Sequence, residues 1–320
     1  MSFENDLIER RPEVTIVMSV YNAEKYLEQQ LQSLTIQTYQ SWRLLVRNNG
    51  SNDQTLSILE QFQNQHSKER VHIVNTTKNI NKVYKSFAML VDQVNTHYIM
   101  LCDGDDFWLP EKIKDAVNAI SNMEDIHSSE VPLLYHTDLT LVDHNLSPTS
   151  ISMWRAQRLN PKRKRAIKCL IHNHAIGNTF IFNQALKEKA KLRPESLIMH
   201  DVFYLIIASL YGVVSSSERS HMLYRQHGNN ICGGVQFYRL NNLQNKFHPA
   251  YIQLAIEQKC ELAGQILTLH GSKMKSSDVE AFKDIASIPT SSWLMKRIYV
   301  LKHRAFMNGF LRNIALLLFL

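Results

Sequence analysis

The sequence predicts an α/β fold, a mainly parallel sheet flanked by helices, followed by a helical C-terminal extension. Two observations predict it. Over the first half of the chain, short β-branched apolar runs alternate with apolar stripes at helical spacing, which is the pattern of repeated βα units. After about Gln236 only helical spacing remains, at Leu254, Ala255 and from Gln258 to Leu269.

The elements follow in order. Val14 to Val20 alternates and reads as the first strand. It ends at Tyr21-Asn22, a turn signal and candidate N-cap. Leu27, Leu31 and Leu34 then mark a helix. Trp42 to Val46 is a second strand, and the polar loop Arg47 to Asp53 leads into a helix carrying Leu56, Leu59 and Phe62. Val71 to Val74 is a third strand. Val83, Phe87, Leu90 and Val94 mark the next helix, with Asn81 as its cap. Tyr98 to Cys102 is a buried fourth strand that stops at Asp103, Asp105 and Asp106. Pro110 suits the first turn of the helix whose stripe is Ile113, Val117 and Ile120. Two short β-like runs, Leu133 to Tyr135 and Leu139 to Val142, flank His136 and Asp138. Those two polar residues read as structural or acceptor-facing. Phe180 to Phe182 is strand-like, Val202 to Tyr211 is an apolar helix ending at Gly212, and another short strand precedes Leu223.

Composition narrows the classes. The 320 residues are 44% hydrophobic and 20% charged, so the chain is globular. Net charge is +7, which suits nucleic acid, an anionic membrane surface or a phosphorylated substrate. Cys102, Cys169, Cys232 and Cys260 form no C-x-x-C pair, which argues against a zinc ribbon and for a reducing compartment. Neither G-x-G-x-x-G nor G-x-x-x-x-G-K-[ST] occurs, against a dinucleotide-binding dehydrogenase or a P-loop enzyme. The N-terminus lacks the apolar core of a signal peptide, and no apolar run would span a bilayer.

The polar clusters at Tyr21-Asn22, Asn48 to Asp53 and Asp103 to Asp106 each follow the carboxyl end of a strand. In a parallel sheet they converge on the edge where such sheets bind ligands. One Asp there could simply cap a helix. Three neighbouring carboxylates repel unless a cation or hydrogen-bond donor lies among them. A hard divalent ion bridging to a diphosphate fits D-G-D-D.

One ordered set of motifs carries a family resemblance: V-M-S-V-Y-N, Q-T-Y-x-x-W-R-L-L-V-R, G-S-N-D-x-T-L, C-D-x-D-D-x-W-L-P-x-K-I, M-H-D and Y-R-Q-H-G-N-N. Together they resemble the family 2 glycosyltransferases of the GT-A fold, and within them the bacterial rhamnosyltransferase-like branch of O-antigen and capsule synthesis. The resemblance covers Val14 to Gly234. It implies that Tyr21, Asn22, Asn49, Ser51 and Asp53 surround the donor nucleoside and that Asp103 lies near the ribose. It implies that Asp105 ligates Mn²⁺ or Mg²⁺, that His227 completes the metal shell or meets the diphosphate, and that Arg225 grips phosphate. Asp201 would be the catalytic base. Asn173, Gly177, Asn178 and His200 would line the acceptor cleft. Gly228, Gly233 and Gly234 would let a loop close over the donor. The family commonly has Asp-Asp where this chain has Asn48-Asn49. An amide donates and accepts, while an ionised Asp only accepts, so base preference or donor affinity is expected to differ.

The expected organisation is a glycosyltransferase domain over residues 10–235, with a nucleotide-binding half (10–125) and an acceptor half (126–235), then a helical extension over 236–320. Lys162 to Arg165, with Lys168, reads equally as a solvated basic helix start or as a contact to phosphorylated acceptor or headgroups. Trp293 to Leu320 is a basic amphipathic tail without an acid, suited to in-plane membrane attachment. The expected function is inverting, metal-dependent transfer from a nucleotide-sugar, dTDP-rhamnose first and a UDP-hexose second, to a lipid-linked oligosaccharide acceptor. The expected place is the cytoplasmic face of the membrane. Nucleotidyl transfer, nucleic-acid binding and sugar-nucleotide binding without turnover are the alternatives. The first lacks a Gly-rich phosphate loop, and the second lacks an aromatic-basic motif.

Overall fold

The computed structural model describes residues 12–76, 83–191, 199–227 and 249–319. Strands β1 (Val14–Val20), β2 (Trp42–Asn48), β3 (Val71–Asn75) and β4 (Tyr98–Cys102) alternate with α1 (Glu24–Thr35), α2 (Thr55–His66) and α3 (Val83–Asp92). Then come β5 (Phe107–Trp108), α4 (Lys112–His127), β6 (Leu133–Val142), β7 (Pro148–Ser150), α5 (Met153–Gln157), α6 (Ala166–Ile171), β8 (Ile181–Asn183), α7 (Gln184–Ala190), α8 (His200–Tyr211) and β9 (Val213–Arg225). The C-terminal helices are α9 (Pro249–His270), α10 (Ser276–Ala286), α11 (Trp293–Lys302) and α12 (Phe310–Phe319).

The sheet runs β3-β2-β1-β4-β8-β6-β9-β5, with β7 on β6. Strands β1 to β4 pair in parallel. β8 is antiparallel to both β4 and β6, and β9 is parallel to β6. So β1 to β4, β6 and β9 all point one way, and their carboxyl ends share one edge.

Alternation in the strands sorts the core onto two faces. Ile16, Met18, Met100 and Cys102 meet Leu27, Leu59, Ile113 and Ile120 of α1, α2 and α4. Val17, Ile99 and Leu101 face Phe87 of α3, Phe203 and Ile206 of α8, and Ile266 and Phe282 of the C-terminal helices. Residues Val202 to Ala208 of α8 are all buried, because that helix lies between the sheet and the C-terminal helices.

Some expectations need correction. The two runs around His136 and Asp138 are one strand of ten residues. His136 packs edge-on against Trp154, and Asp138 accepts from the backbone of Leu139 and Trp154 and the Ser152 hydroxyl. Local satisfaction of the carboxylate lets the strand continue. The strand before Leu223 spans thirteen residues, not a few, because β6 gives it a long partner. Pro110 sits in the turn before α4. The aromatic pair Phe107-Trp108 pairs with Leu223 and Met222, strapping the acidic loop under β9. Asn81, Cys232, Gly228, Gly233 and Gly234 lie outside the described residues.

Candidate active site

The acidic loop leaves β4 at the shared edge. Gly104 packs tightly there: a Cβ would come within 2.7 Å of Val20 Cγ1, at the end of β1. Asp106 is fully buried. The side-chain nitrogen of Asn178 donates to Asp106 at 2.7 Å and to Asp103 at 3.0 Å. The backbone N–H of Arg225 donates to the other oxygen of Asp106 at 3.1 Å. Asp103 is pushed up to about 7, by burial first and then by the charges of Asp105 and Asp201, with the Asn178 bond opposing. Burial, then the charges of Asp105 and Asp103, raise Asp106 well above the carboxylate range, with the Arg225 and Asn178 bonds opposing. Burial and mutual repulsion therefore favour a bound proton or a cation among these carboxyls.

Asp201 enters from the first turn of α8 and is 6% exposed. Its Oδ1 accepts the Val202 N–H at 2.7 Å. His200 stacks on Phe87, ring centroids 4.3 Å apart, and burial lowers its pKa against the pull of Asp201. Gly177 makes the approach possible. A Cβ there would lie 3.1 Å from the Asp201 Cβ and 3.4 Å from His200 Nε2.

On the other side of the acidic loop, β9 delivers Arg225 and His227. His227 Nε2 lies 2.8 Å from Asp105 Oδ2 and stacks on Tyr26 of α1. The Arg225 guanidinium lies 4.3 Å from the centroid of the same ring. Arg225 also has partners within the protein. It is 1% exposed, and its side chain donates to the carbonyls of Asp105 and His144 and to Gln29. Fixed carbonyl acceptors are available inside the protein, so the guanidinium holds the Asp105 loop in place.

The loops after β1 and β2 interlock beside Gly104. Asn22 adopts a left-handed φ of 47° and accepts the Asn52 N–H, while its own N–H donates to Ser51. Asp53 accepts from Glu24 and Thr55 and is lowered by those bonds against the desolvation of burial. Asn48 accepts from Ser51 and donates to Asn75. Asn49 accepts from Arg47 at 2.9 Å and donates to Ser19 at 2.7 Å. Both amides thus use donor and acceptor at once, which a carboxylate could not. Tyr21 is 51% exposed, open to a flat ring.

Asp105 and His227 fit a divalent cation. One offers oxygen, the other nitrogen, and both side chains keep some exposure. Among the described residues no three His, Cys, Asp or Glu groups converge on a metal. Two protein ligands leave coordination positions for waters and phosphate oxygens, as Mg²⁺ sites commonly do.

The structure brings Asp103, Asp105, Asp201, Gly177, Asn178, His200, Arg225 and His227 into one cluster, with Asn22, Asn49, Ser51 and Asp53 in the adjoining loops. Asn173 caps its own turn, accepting the Ala175 N–H at 3.0 Å. Sequence reasoning missed Tyr26, Gln29 and the bridging contacts of Asn178. Tyr26 had a signal: it is an aromatic residue in the first turn of the helix that leaves a site strand.

Residues 15–188 match the family model described as glycosyl transferase family 2. The dTDP-rhamnosyl transferase RfbG of Shigella flexneri is 30% identical over 247 residues, 72% of this chain and 80% of that protein. The crystal structure of S. aureus TarS 1-349 in complex with UDP-GlcNAc superposes with a TM-score of 0.54 at 15% identity, covering 92% of this chain and 87% of that one. The mannosyltransferase PcManGT from Pyrobaculum calidifontis, in complex with GDP-Man and Mn²⁺, gives 0.53 at 15% identity, covering 97% and 87%.

Proposed function

The chain belongs to glycosyl transferase family 2 and is a glycosyltransferase of the GT-A fold; from there we propose inverting, metal-dependent sugar transfer from a nucleotide-sugar to a lipid-linked oligosaccharide. The donor proposed first is dTDP-rhamnose, supported by the likeness to RfbG, and a UDP-hexose second. The setting proposed is bacterial surface polysaccharide synthesis at the inner membrane face.

One observation carries the reading. Asn178 donates to Asp103 while its neighbour Gly177 packs against Asp201, which supports placing the metal-side and base-side carboxylates in one cluster. Asp201 takes the acceptor hydroxyl proton as that oxygen bonds to the anomeric carbon. The bond from the anomeric carbon to the phosphate oxygen breaks, and the nucleoside diphosphate leaves with the electron pair. A divalent ion at Asp105 and His227 would supply Lewis-acid stabilisation of the departing charge. Asn178 keeps Asp103 and Asp106 in place while the loops of Asn22, Ser51 and Asp53 receive the nucleoside. One base without a second carboxylate nucleophile gives a single displacement and inversion.

The test is a panel of dTDP- and UDP-sugars with and without EDTA. Transfer that EDTA stops and Mn²⁺ restores is expected, and Asp201→Asn should bind donor while losing turnover. Pyrophosphate release from a nucleoside triphosphate would point to nucleotidyl transfer. Donor binding by calorimetry, with no transfer to any acceptor, would point to a binding protein.

A further inference from the structure

The C-terminal helices carry a face that sugar transfer leaves unused. On α11 the apolar side chains turn outward: Trp293 is 68% exposed, Leu294 59% and Leu301 56%. Lys296 and Arg297 of the same helix are half-buried, and only Val300 is buried. A helix lying on a protein in water shows the reverse. Leu318 of α12 extends the patch at 68% exposed. Arg297 joins the two helices, 3.8 Å over the Trp293 ring and bonded to the Leu318 carbonyl. An apolar face this concentrated marks an interaction surface.

Charge tells what covers it. The tail from Ile285 onward contains no Asp or Glu and carries Lys296, Arg297, Arg304 and Arg312 besides Lys302, which is paired with Glu280 and Asp284. The stretch from Arg155 to Lys168 is likewise basic and acid-free. The two are packed together. Arg163 donates to the Phe306 carbonyl, Arg312 to the Gln157 carbonyl, and the Asn308 N–H to His172. Burial, then repulsion from Arg163, Arg165 and Arg304, holds Lys168 down to about 8. A second copy on this face would set two basic surfaces against each other, which is unfavourable. An anionic bilayer offers phosphates to the cations and acyl chains to Trp and Leu.

We propose that α11, the end of α12 and the basic stretch packed beside them dock on an anionic phospholipid bilayer, with Trp293 and Leu294 at the headgroup–acyl boundary. This gives the membrane-face reading its surface, and it stands whether or not the donor and acceptor above are right. The run from His172 to Asn178 links this face to the acidic cluster, so a lipid-linked acceptor would arrive from the bilayer side.

Trp42, Trp108 and Trp154 are 2%, 0% and 5% exposed, which leaves Trp293 as a reporter. The experiment sediments the full chain with phosphatidylcholine vesicles, with and without phosphatidylglycerol, and follows tryptophan emission. Binding only to the phosphatidylglycerol vesicles is expected, with a blue shift and quenching by brominated lipid. Lys296→Gln and Arg304→Gln should each weaken binding about fivefold. Trp293→Ser should abolish the shift, with an unchanged circular dichroism spectrum and unchanged transfer to a soluble acceptor. No binding at low salt would overturn the proposal. So would a blue shift that grows with protein concentration in the absence of vesicles, because a second copy would then cover the face.

Discussion

His227 Nε2 and Asp105 Oδ2 meet at 2.8 Å, joining the end of β9 to the loop after β4. If they share a cation, losing either one weakens metal binding, but not equally. Asp105→Ala removes the charged ligand and should cut turnover by about 10²-fold or more. His227→Ala should raise the Mn²⁺ concentration needed by about 10- to 100-fold and recover transfer at saturation. Titrating Mn²⁺ into the transfer assay separates the two outcomes.

Gly177 borders Asp201 so closely that a Cβ there would lie 3.1 Å from the Asp201 Cβ. Gly177→Ala should displace the carboxylate slightly without removing it. The expected result is a drop in kcat of about 10- to 100-fold with the donor KM little changed. A normal kcat would mean that Asp201 does not need its present position.

Asn178 gives one nitrogen to two carboxylates. Asn178→Leu keeps the volume and removes the bonds. It should cost about 1–3 kcal/mol for the buried groups left short of a donor, measured by urea denaturation. Saturating Mn²⁺ should recover part of that loss by binding the native state.

His136 and His174 are buried with ring centroids 5.2 Å apart. Burial pushes His136 well below its ordinary 6.5, and burial with the charge of Lys164 brings His174 down to about 4. Unfolded, both would titrate near 6.5, so below that pH the unfolded chain binds more protons. Stability is therefore complete above 6.5 and falls as pH drops toward about 4. Replacing both by Phe and Leu should flatten that part of the urea-midpoint profile against pH. An unchanged slope would assign the acid loss to other groups.

Much of this was legible in the sequence because strand ends are local signals. Val20, Val46 and Cys102 each end an apolar run before a polar cluster, and a common strand direction brings those clusters together. The reach of β6 through His136 and Asp138 was not legible. Their burial depends on Ser152, Trp154 and Phe180, which are distant in sequence. Arg225 shows the same limit. Its type suits phosphate, but its bonds to Gln29 and the His144 carbonyl depend on residues far away in the chain. The bridge from Asn178 to Asp106 likewise needs the antiparallel β8 between β4 and β6, which alternating βα units do not announce.

The contact of α8 with the C-terminal helices bears on how this enzyme could be re-engineered. Phe203 of α8 packs its ring on His270, and Tyr211 donates to the His270 carbonyl. Lys259 of α9 donates to the Ile171 carbonyl of α6. The helix that carries Asp201 in its first turn therefore has its back wall built by the tail. Swapping tails between relatives would not be a modular exchange, because a foreign α9 would have to reproduce that wall before any new specificity could be read.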